Sequence, residues 1–64
     1  MDLMPIITIE MLEGRTIEQK RELVSTITAD VARIAKVDPA AVEIIIREMK
    51  RENFSRAGRL LCDT

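Results

Sequence analysis

Three consecutive isoleucines, Ile44 to Ile46, constrain the fold of this 64-residue chain more than any other feature. Successive side chains of a β-strand point to opposite faces of the sheet, so the run places apolar side chains on both faces. Strands of this kind are typical of sheets that are covered on both sides. We therefore predict that residues 42–49 form a central strand.

A βαβ unit is predicted to lead into this strand. Residues 5–12 alternate as a strand should, and Thr16 with Gln19 forms a capping box that starts a helix ending near Lys36. Its predicted apolar face consists of Ile17, Val24, Ile27, Val31, Ile34 and Ala35, and Lys20 is assigned to the solvated side. Residues 38–41 predict a short helical turn. The expected fold class is α+β, with parallel strands and a right-handed crossover.

The tail, residues 50–64, is mostly polar. It contains Phe54 and a short apolar group at residues 60–62, and is predicted to form a short hairpin or an edge strand. Gly14 and Gly58 are interpreted as turn glycines with positive φ. One helix covers only one face of a two-stranded sheet, so the other face needs a second copy of the chain. The fold is therefore expected to be completed by oligomerisation.

Composition excludes several classes of partner and site. Ten basic and 11 acidic residues give a net charge of −1, so neither nucleic acid nor a membrane surface is an expected partner. With one cysteine and no histidine, neither an intrachain disulfide nor a metal site is expected. No apolar run approaches the ~20 residues of a membrane span, and the amino terminus does not resemble a signal peptide. A cytoplasmic location is therefore expected.

Five short features occur in an order and spacing that resemble the 4-oxalocrotonate tautomerase family. They are Pro5 at the start of the first strand, LEGRT at 12–16, EQK at 18–20, IIIREM at 44–49, and Phe54. The resemblance covers residue 5 to about residue 61. It implies a homohexamer built as a trimer of dimers, no cofactor, and an isomerase that acts in aromatic degradation. It also implies keto–enol tautomerisation of small unsaturated keto or enol acids, with an amino-terminal proline as general base.

The residues themselves are suited to this chemistry. A base that moves a proton between carbons must be neutral near pH 7, as a free Pro5 nitrogen would be with its pKa lowered by apolar neighbours and nearby arginines. Arg15 would bind the substrate carboxylate and stabilise the enolate, and Ile6, Leu12 and Phe54 are expected to contact the substrate. The first strand spans ~23 Å, so Pro5 and Arg15 of one chain cannot meet. If both serve the same substrate, Arg15 must come from another subunit.

Two residues mark a departure from the family pattern. The second arginine of the family aligns with Glu43, which reverses the charge at a position that contacts substrate. Dianionic substrates are therefore expected to bind poorly. Arg56, close to Phe54, is expected to bind substrate in place of the missing cation and to pair with Glu43 across subunits.

Residues 1–4 form an extension before the expected domain, residues 5–64. With this extension attached, the nitrogen of Pro5 is a tertiary amide without a basic lone pair. Translation from Met4 and removal of that methionine would free the proline. We expect residues 1–4 to be absent from the active form.

Other interpretations stay open. Pro5 could be an ordinary proline at the start of an edge strand, Arg15 a solvated turn residue, and Phe54 a packing residue. The chain could also catalyse hydration, dehalogenation or decarboxylation, with Glu43 positioning a water for the first two, or be an inactive oligomeric scaffold. A ribbon-helix-helix DNA-binding protein is disfavoured, because Ile44 to Ile46 indicate a strand where that fold needs a helix.

Overall fold

The computed structural model describes residues 4–63 and confirms the βαβ unit. Strand β1 spans Ile6–Leu12, helix α1 spans Ile17–Ala35 and strand β2 spans Glu43–Met49. The strands pair in parallel along their full length, with Ile6 opposite Glu43 and Leu12 opposite Met49. Of the expected extension, residues 1–3 lie outside the described residues.

Local signals in the sequence set both ends of α1. Thr16 donates its backbone N–H to Gln19 Oε1 over 2.8 Å, and Gln19 donates its backbone N–H to Thr16 Oγ1 over 3.1 Å. The predicted capping box is therefore present. At the other end Lys36 adopts a left-handed conformation (φ 58°) and donates its N–H to the carbonyl of Ala32. Neither α1 nor any other helix within residues 4–63 is long and apolar enough to cross a membrane.

The return from α1 to β2 follows the predicted short helical turn. Pro39–Ala41 forms one turn of 3₁₀ helix, and Asp38 caps it by accepting the N–H of Ala40 at 2.9 Å. Proline is suited to this first turn because its missing N–H would have no helical partner there. The chain is thus directed immediately into β2.

The tail forms the predicted small hairpin. Strands β3 (Ser55–Arg56) and β4 (Arg59–Leu60) pair antiparallel around Ala57 and Gly58. Both loop residues have positive φ, 54° and 79°, as a tight type I′ turn requires. Of the apolar group at 60–62, only Leu60 belongs to a strand, because Leu61–Asp63 turns into a 3₁₀ helix.

Helix α1 covers one face of the sheet. Met11 lines a cavity with residues of α1, and Lys20 of α1 contacts Glu48 of β2. By strand alternation the same face carries Ile7, Ile9, Ile44 and Ile46, which are all half-buried. The predicted apolar face of α1 is wrong at three positions, since Ile17 is 54% and Ile34 69% exposed and Ala35 is also exposed. Leu23, which was not predicted, is half-buried.

The opposite side of the sheet, called here the open face, carries Ile6, Thr8, Glu10 and Leu12 of β1 and Glu43, Ile45, Arg47 and Met49 of β2. Ile6 and Ile45 remain 48% and 44% exposed. No element of the described chain covers them fully. The open face is therefore the surface available to a second copy.

The exposed surface area and the radius of gyration also show that a single chain buries little of its surface. None of residues 4–63 is fully buried, and the exposed surface is 5200 Å². A monomeric protein of this mass typically exposes about 4200 Å². The radius of gyration is 15.0 Å, against about 11 Å for a compact domain of this length. One chain alone therefore does not enclose a core.

Assembly can be tested with a charge on the open face. We expect the protein to sediment at micromolar concentration as a multiple of its 7.3 kDa mass. Ile45→Asp should weaken assembly by roughly tenfold or more in dissociation constant, because it would bury an unpaired carboxylate. Ala29→Asp adds the same charge at an exposed position of α1 and should leave the assembly intact. A folded 7.3 kDa species for the unsubstituted chain would contradict this account.

Candidate active site

Three predicted site residues meet at the amino-terminal end of β1. The carbonyl of Pro5 accepts the backbone N–H of Glu43 at 3.1 Å. Ile6 lies opposite Glu43 in the parallel register, so both side chains share the open face. Pro5 is half-buried, whereas Ile6 and Glu43 are exposed. This end of the sheet is called the Pro5 end.

Three other predicted site residues meet at the far end of β1. Leu12, Phe54 and Arg56 line one cavity of about 360 Å³. The guanidinium of Arg56 lies 5.8 Å from the centroid of the Phe54 ring, within the range of a cation–π contact. The remaining lining residues are Glu10, Met11, Met49 and Leu61. This space is called the Phe54 cavity.

Arg15 lies in a neighbouring cavity of about 260 Å³, called the Arg15 cavity. Its lining consists of Met11, Arg15, Gln19, Lys20 and Leu23. Gly14, just before Arg15, has φ 124°, a conformation that side chains disfavour, so the predicted turn glycine is confirmed. Met11 lines both cavities, so they are adjacent at the same end of the sheet.

The two ends of the sheet do not meet within one chain. From Ile6 to Leu12 the strand extends about 20 Å at ~3.3 Å per residue. The structure thus brings Pro5, Ile6 and Glu43 together, and Leu12, Phe54 and Arg56 together, with Arg15 in the adjoining cavity. A site that uses both ends would have to combine residues of two copies.

The charged candidates have no ionic partner in the part of the chain that the structure describes. Its ion pairs are Lys20 with Glu48, at 2.6 Å, and Arg33 with Asp30, at 3.6 Å. Arg15, Arg56 and Glu43 form none. The Phe54 cavity has apolar walls and, at its edge, the guanidinium of Arg56, which forms no ion pair with another described residue. It is therefore suited to a small acid, whose carboxylate would pair with the guanidinium while its carbon skeleton contacts the apolar wall.

Sequence reasoning missed several residues of this region. Glu10 could have been found, because alternation along β1 places it on the open face with Leu12. Leu61 joins the Phe54 cavity only through the hairpin, a long-range arrangement that no local pattern indicates. Lys20 was predicted to be solvated, and this prediction is wrong, because its side chain is only 24% exposed and pairs with Glu48.

Within residues 4–63, no group of three or more histidine, cysteine, aspartate or glutamate side chains is placed to hold a metal ion. The thiol of Cys62 is free and exposed.

Relatives of the chain are known in sequence and in structure. The 2-hydroxymuconate tautomerase of Bacillus subtilis is 40% identical over 60 residues, which cover 94% of this chain and 97% of that protein. A 4-oxalocrotonate tautomerase isozyme from Methylibium petroleiphilum superposes with a TM-score of 0.87 at 47% identity over 92% of each chain. A heterohexamer 4-oxalocrotonate tautomerase from Chloroflexus aurantiacus has a TM-score of 0.87 at 35% identity, covering 94% of this chain and 97% of that chain.

A family model described as tautomerase enzyme matches residues 5–63. The match includes both strands, the helix, the hairpin and every candidate site residue at both ends of the sheet. The resemblance inferred from the five sequence features is thereby confirmed. The chain belongs to the tautomerase family.

Proposed function

We propose that this chain is a cofactor-independent tautomerase that moves a proton in small 2-hydroxydienoate or enol-pyruvate-like acids. Family membership supports an isomerase of the tautomerase type. The observation that carries the finer proposal is the Phe54 cavity, an apolar space bordered by the guanidinium of Arg56. The apolar wall suits the body of a short unsaturated acid, and the guanidinium of Arg56 can pair with its carboxylate, while Glu10 lines the same cavity.

Pro5 is the general base in this proposal. Its free nitrogen takes the proton from the enol hydroxyl and delivers it to a carbon of the same molecule, so an O–H bond breaks, a C–H bond forms and the composition is unchanged. A neighbouring cation and apolar surroundings disfavour a charged amine, and both would lower the pKa of the Pro5 nitrogen. The amide bond to Met4 removes the lone pair, so the active form begins at Pro5 and comprises residues 5–64.

Arginines of another copy bind the substrate. Arg15 holds the carboxylate and stabilises the enolate oxygen, and Arg56 supplies the second cation beside Phe54. Leu12 and Phe54 form the apolar wall at this end, and Ile6 contacts the substrate from the Pro5 end. The separation of about 20 Å between the ends of β1 supports a site shared between subunits.

The assembly proposed is a homohexamer built as a trimer of dimers, with sites at the contacts between copies. The uncovered open face and the exposed surface of 5200 Å² support self-association. The Chloroflexus aurantiacus relative is a heterohexamer, so the fold is compatible with six chains. The other partner of each site is a small unsaturated keto or enol acid.

A second candidate function follows from the position of Glu43. Its backbone N–H bonds to the Pro5 carbonyl, so a carboxylate lies at the same end of the sheet as the proposed base. A carboxylate there could position a water for addition to an unsaturated acid, which would make the chain a hydratase or dehalogenase. If Pro5 stays blocked in the cell, the chain is an inactive scaffold.

Removing residues 1–4 tests the role of Pro5. The chain that begins at Pro5 should tautomerise a phenylenolpyruvate-like acid without added metal or cofactor, and the full chain should be at least 100-fold slower, since it has no basic lone pair. Activity should rise with pH as the amine loses its proton, with a midpoint below that of an ordinary secondary amine. Initial rates of the two chains, measured across a range of pH, give both the rate difference and the pH midpoint.

Two controls accompany this comparison. Pro5→Ala in the shortened chain supplies a primary amine and should retain part of the activity, whereas acetylation of the terminus should abolish it. Equal rates for the full and shortened chains would show that Pro5 is not the base. Water addition to an unsaturated or halogenated acid without enol tautomerisation would instead favour the second function.

Charge reversal at Glu43 tests the proposed pairing with Arg56. Glu43→Arg should raise kcat/KM for a dianionic dienol by roughly tenfold. The substitution removes the carboxylate that pairs with Arg56, so the Arg56 guanidinium becomes free to bind the second carboxylate of the substrate. A monoanionic enol should change little and serves as the control substrate. Unchanged or reduced kcat/KM for the dianion would place residue 43 outside the site.

A further inference from the structure

The ion pair between Lys20 and Glu48 joins two distant parts of the chain. Lys20 lies in the first turns of α1 and Glu48 near the end of β2, and their Nζ and Oε1 atoms are 2.6 Å apart. The side chains are 24% and 30% exposed. Water screens such a half-buried pair less than an ion pair on the surface. The pair therefore fixes the start of α1 against β2.

This contact is one of two anchors around Arg15. On the other side, Glu13 donates its backbone N–H to the carbonyl of Met49 at 2.9 Å. Met49 follows Glu48 directly, so both anchors attach to the same end of β2. Arg15 lies between Glu13 and Lys20, in the turn that the two anchors hold from both sides.

Lys20 also lines the Arg15 cavity. Without Glu48, its ammonium would be a second free cation beside the guanidinium of Arg15. With Glu48 bound, the cavity offers one unpaired cation. The pair therefore affects both the position of Arg15 and the charge that a ligand meets.

We propose that Lys20 and Glu48 are positioning residues that hold Arg15 in place for a single carboxylate. This inference rests on the proposed role of Arg15 in binding the substrate. It assigns the ion pair a part in ligand selectivity: loss of Lys20 should weaken binding of an acid and leave binding of the matching neutral compound nearly unchanged. Loss of Glu48 also frees the Lys20 ammonium in the Arg15 cavity, so it should weaken binding of the acid less.

The chain offers a matched control. Arg33 and Asp30 form the other ion pair of the described chain, at 3.6 Å, with side chains 70% and 61% exposed. Both lie within α1, three positions apart, so this pair cannot hold the turn that carries Arg15. Arg33→Met removes a helical cation as Lys20→Met does, but at a site remote from the Arg15 cavity.

The experiment measures binding of cinnamate and of its neutral amide by NMR titration, in the full chain and in the chain that begins at Pro5. Lys20→Met should raise the dissociation constant of cinnamate roughly fivefold, with less than about a twofold change for the amide. Glu48→Gln should raise it less, because the freed Lys20 ammonium offsets part of the loss. Arg33→Met should change neither. Exchanging the charges, Lys20→Glu with Glu48→Lys, should recover part of the loss.

A double-substitution cycle separates positioning from a general loss of stability. If Lys20 acts through Arg15, then Lys20→Met should cause little further rise in the dissociation constant of cinnamate in a chain that already carries Arg15→Ala. Additive effects, or equal losses for acid and amide, would overturn the inference. So would unchanged cinnamate binding in Lys20→Met when Arg15→Ala weakens it. Unchanged binding in Arg15→Ala itself would instead overturn the proposed function of Arg15.

If Lys20→Met does not fold, Lys20→Gln decides the question, because it removes the same charge while keeping a polar side chain. Turnover in the shortened chain provides a second readout. The loss of positioning should raise KM for a carboxylate enol more than it lowers kcat, since carboxylate binding and not the proton-transfer step is affected.

Discussion

The parallel pairing of β1 with β2 is the constraint on which the rest of this structure depends. It is continuous from Ile6 and Glu43 to Leu12 and Met49, and it needs a crossover, which α1 supplies. One crossover helix can cover one face only. The pairing thus creates both the packed side, with Ile9 and Ile46, and the open face with Ile6 and Ile45.

The same pairing separates the candidate site into two halves. Pro5 and Glu43 are held at one end by a backbone hydrogen bond, and Phe54 and Arg56 lie at the other, beyond the reach of the first pair. Self-association would therefore do two things at once: cover apolar surface and join the base to the carboxylate-binding groups. In this account stability and activity depend on the same contacts between copies.

Local chemistry made much of the fold predictable from sequence. The isoleucine run at residues 44–46, the Thr16 capping box and the proline turn at residues 39–41 act within a few residues, and the structure confirms the strand, the cap and the turn. The predicted central position of β2 is wrong within one chain, because its sheet in the described residues has only the two strands β1 and β2 and leaves Ile45 44% exposed. The tail was predicted only as a short hairpin or an edge strand, because the two-residue turn depends on positive φ at Ala57 as well as at Gly58. Helical spacing alone predicted that Ile34 packs against the sheet. The spacing shows which side chains share a face of the helix, but not at which residue the helix extends beyond the sheet.

The sequence named candidate site residues one by one, and their roles stay predictions, but it did not indicate which of them lie together. Lys20 and Glu48 are 28 positions apart, and their contact depends on how α1 crosses the sheet, which no local pattern encodes. The family resemblance supplied the roles assigned to Pro5, Arg15 and Phe54. The proposal that different copies contribute to one site rests on the distance between the ends of β1 and not on any motif.

The central claim, a site shared between copies, is tested most directly by mixing two defective chains. The full chain has Arg15 but a blocked Pro5, and the shortened Arg15→Ala chain has a free Pro5 but no Arg15. Refolded together, they should form mixed assemblies in which roughly a quarter of the sites contain both groups, and kcat/KM for a carboxylate enol should rise well above that of either chain. Activity no greater than the sum of the two separate chains would contradict the shared site.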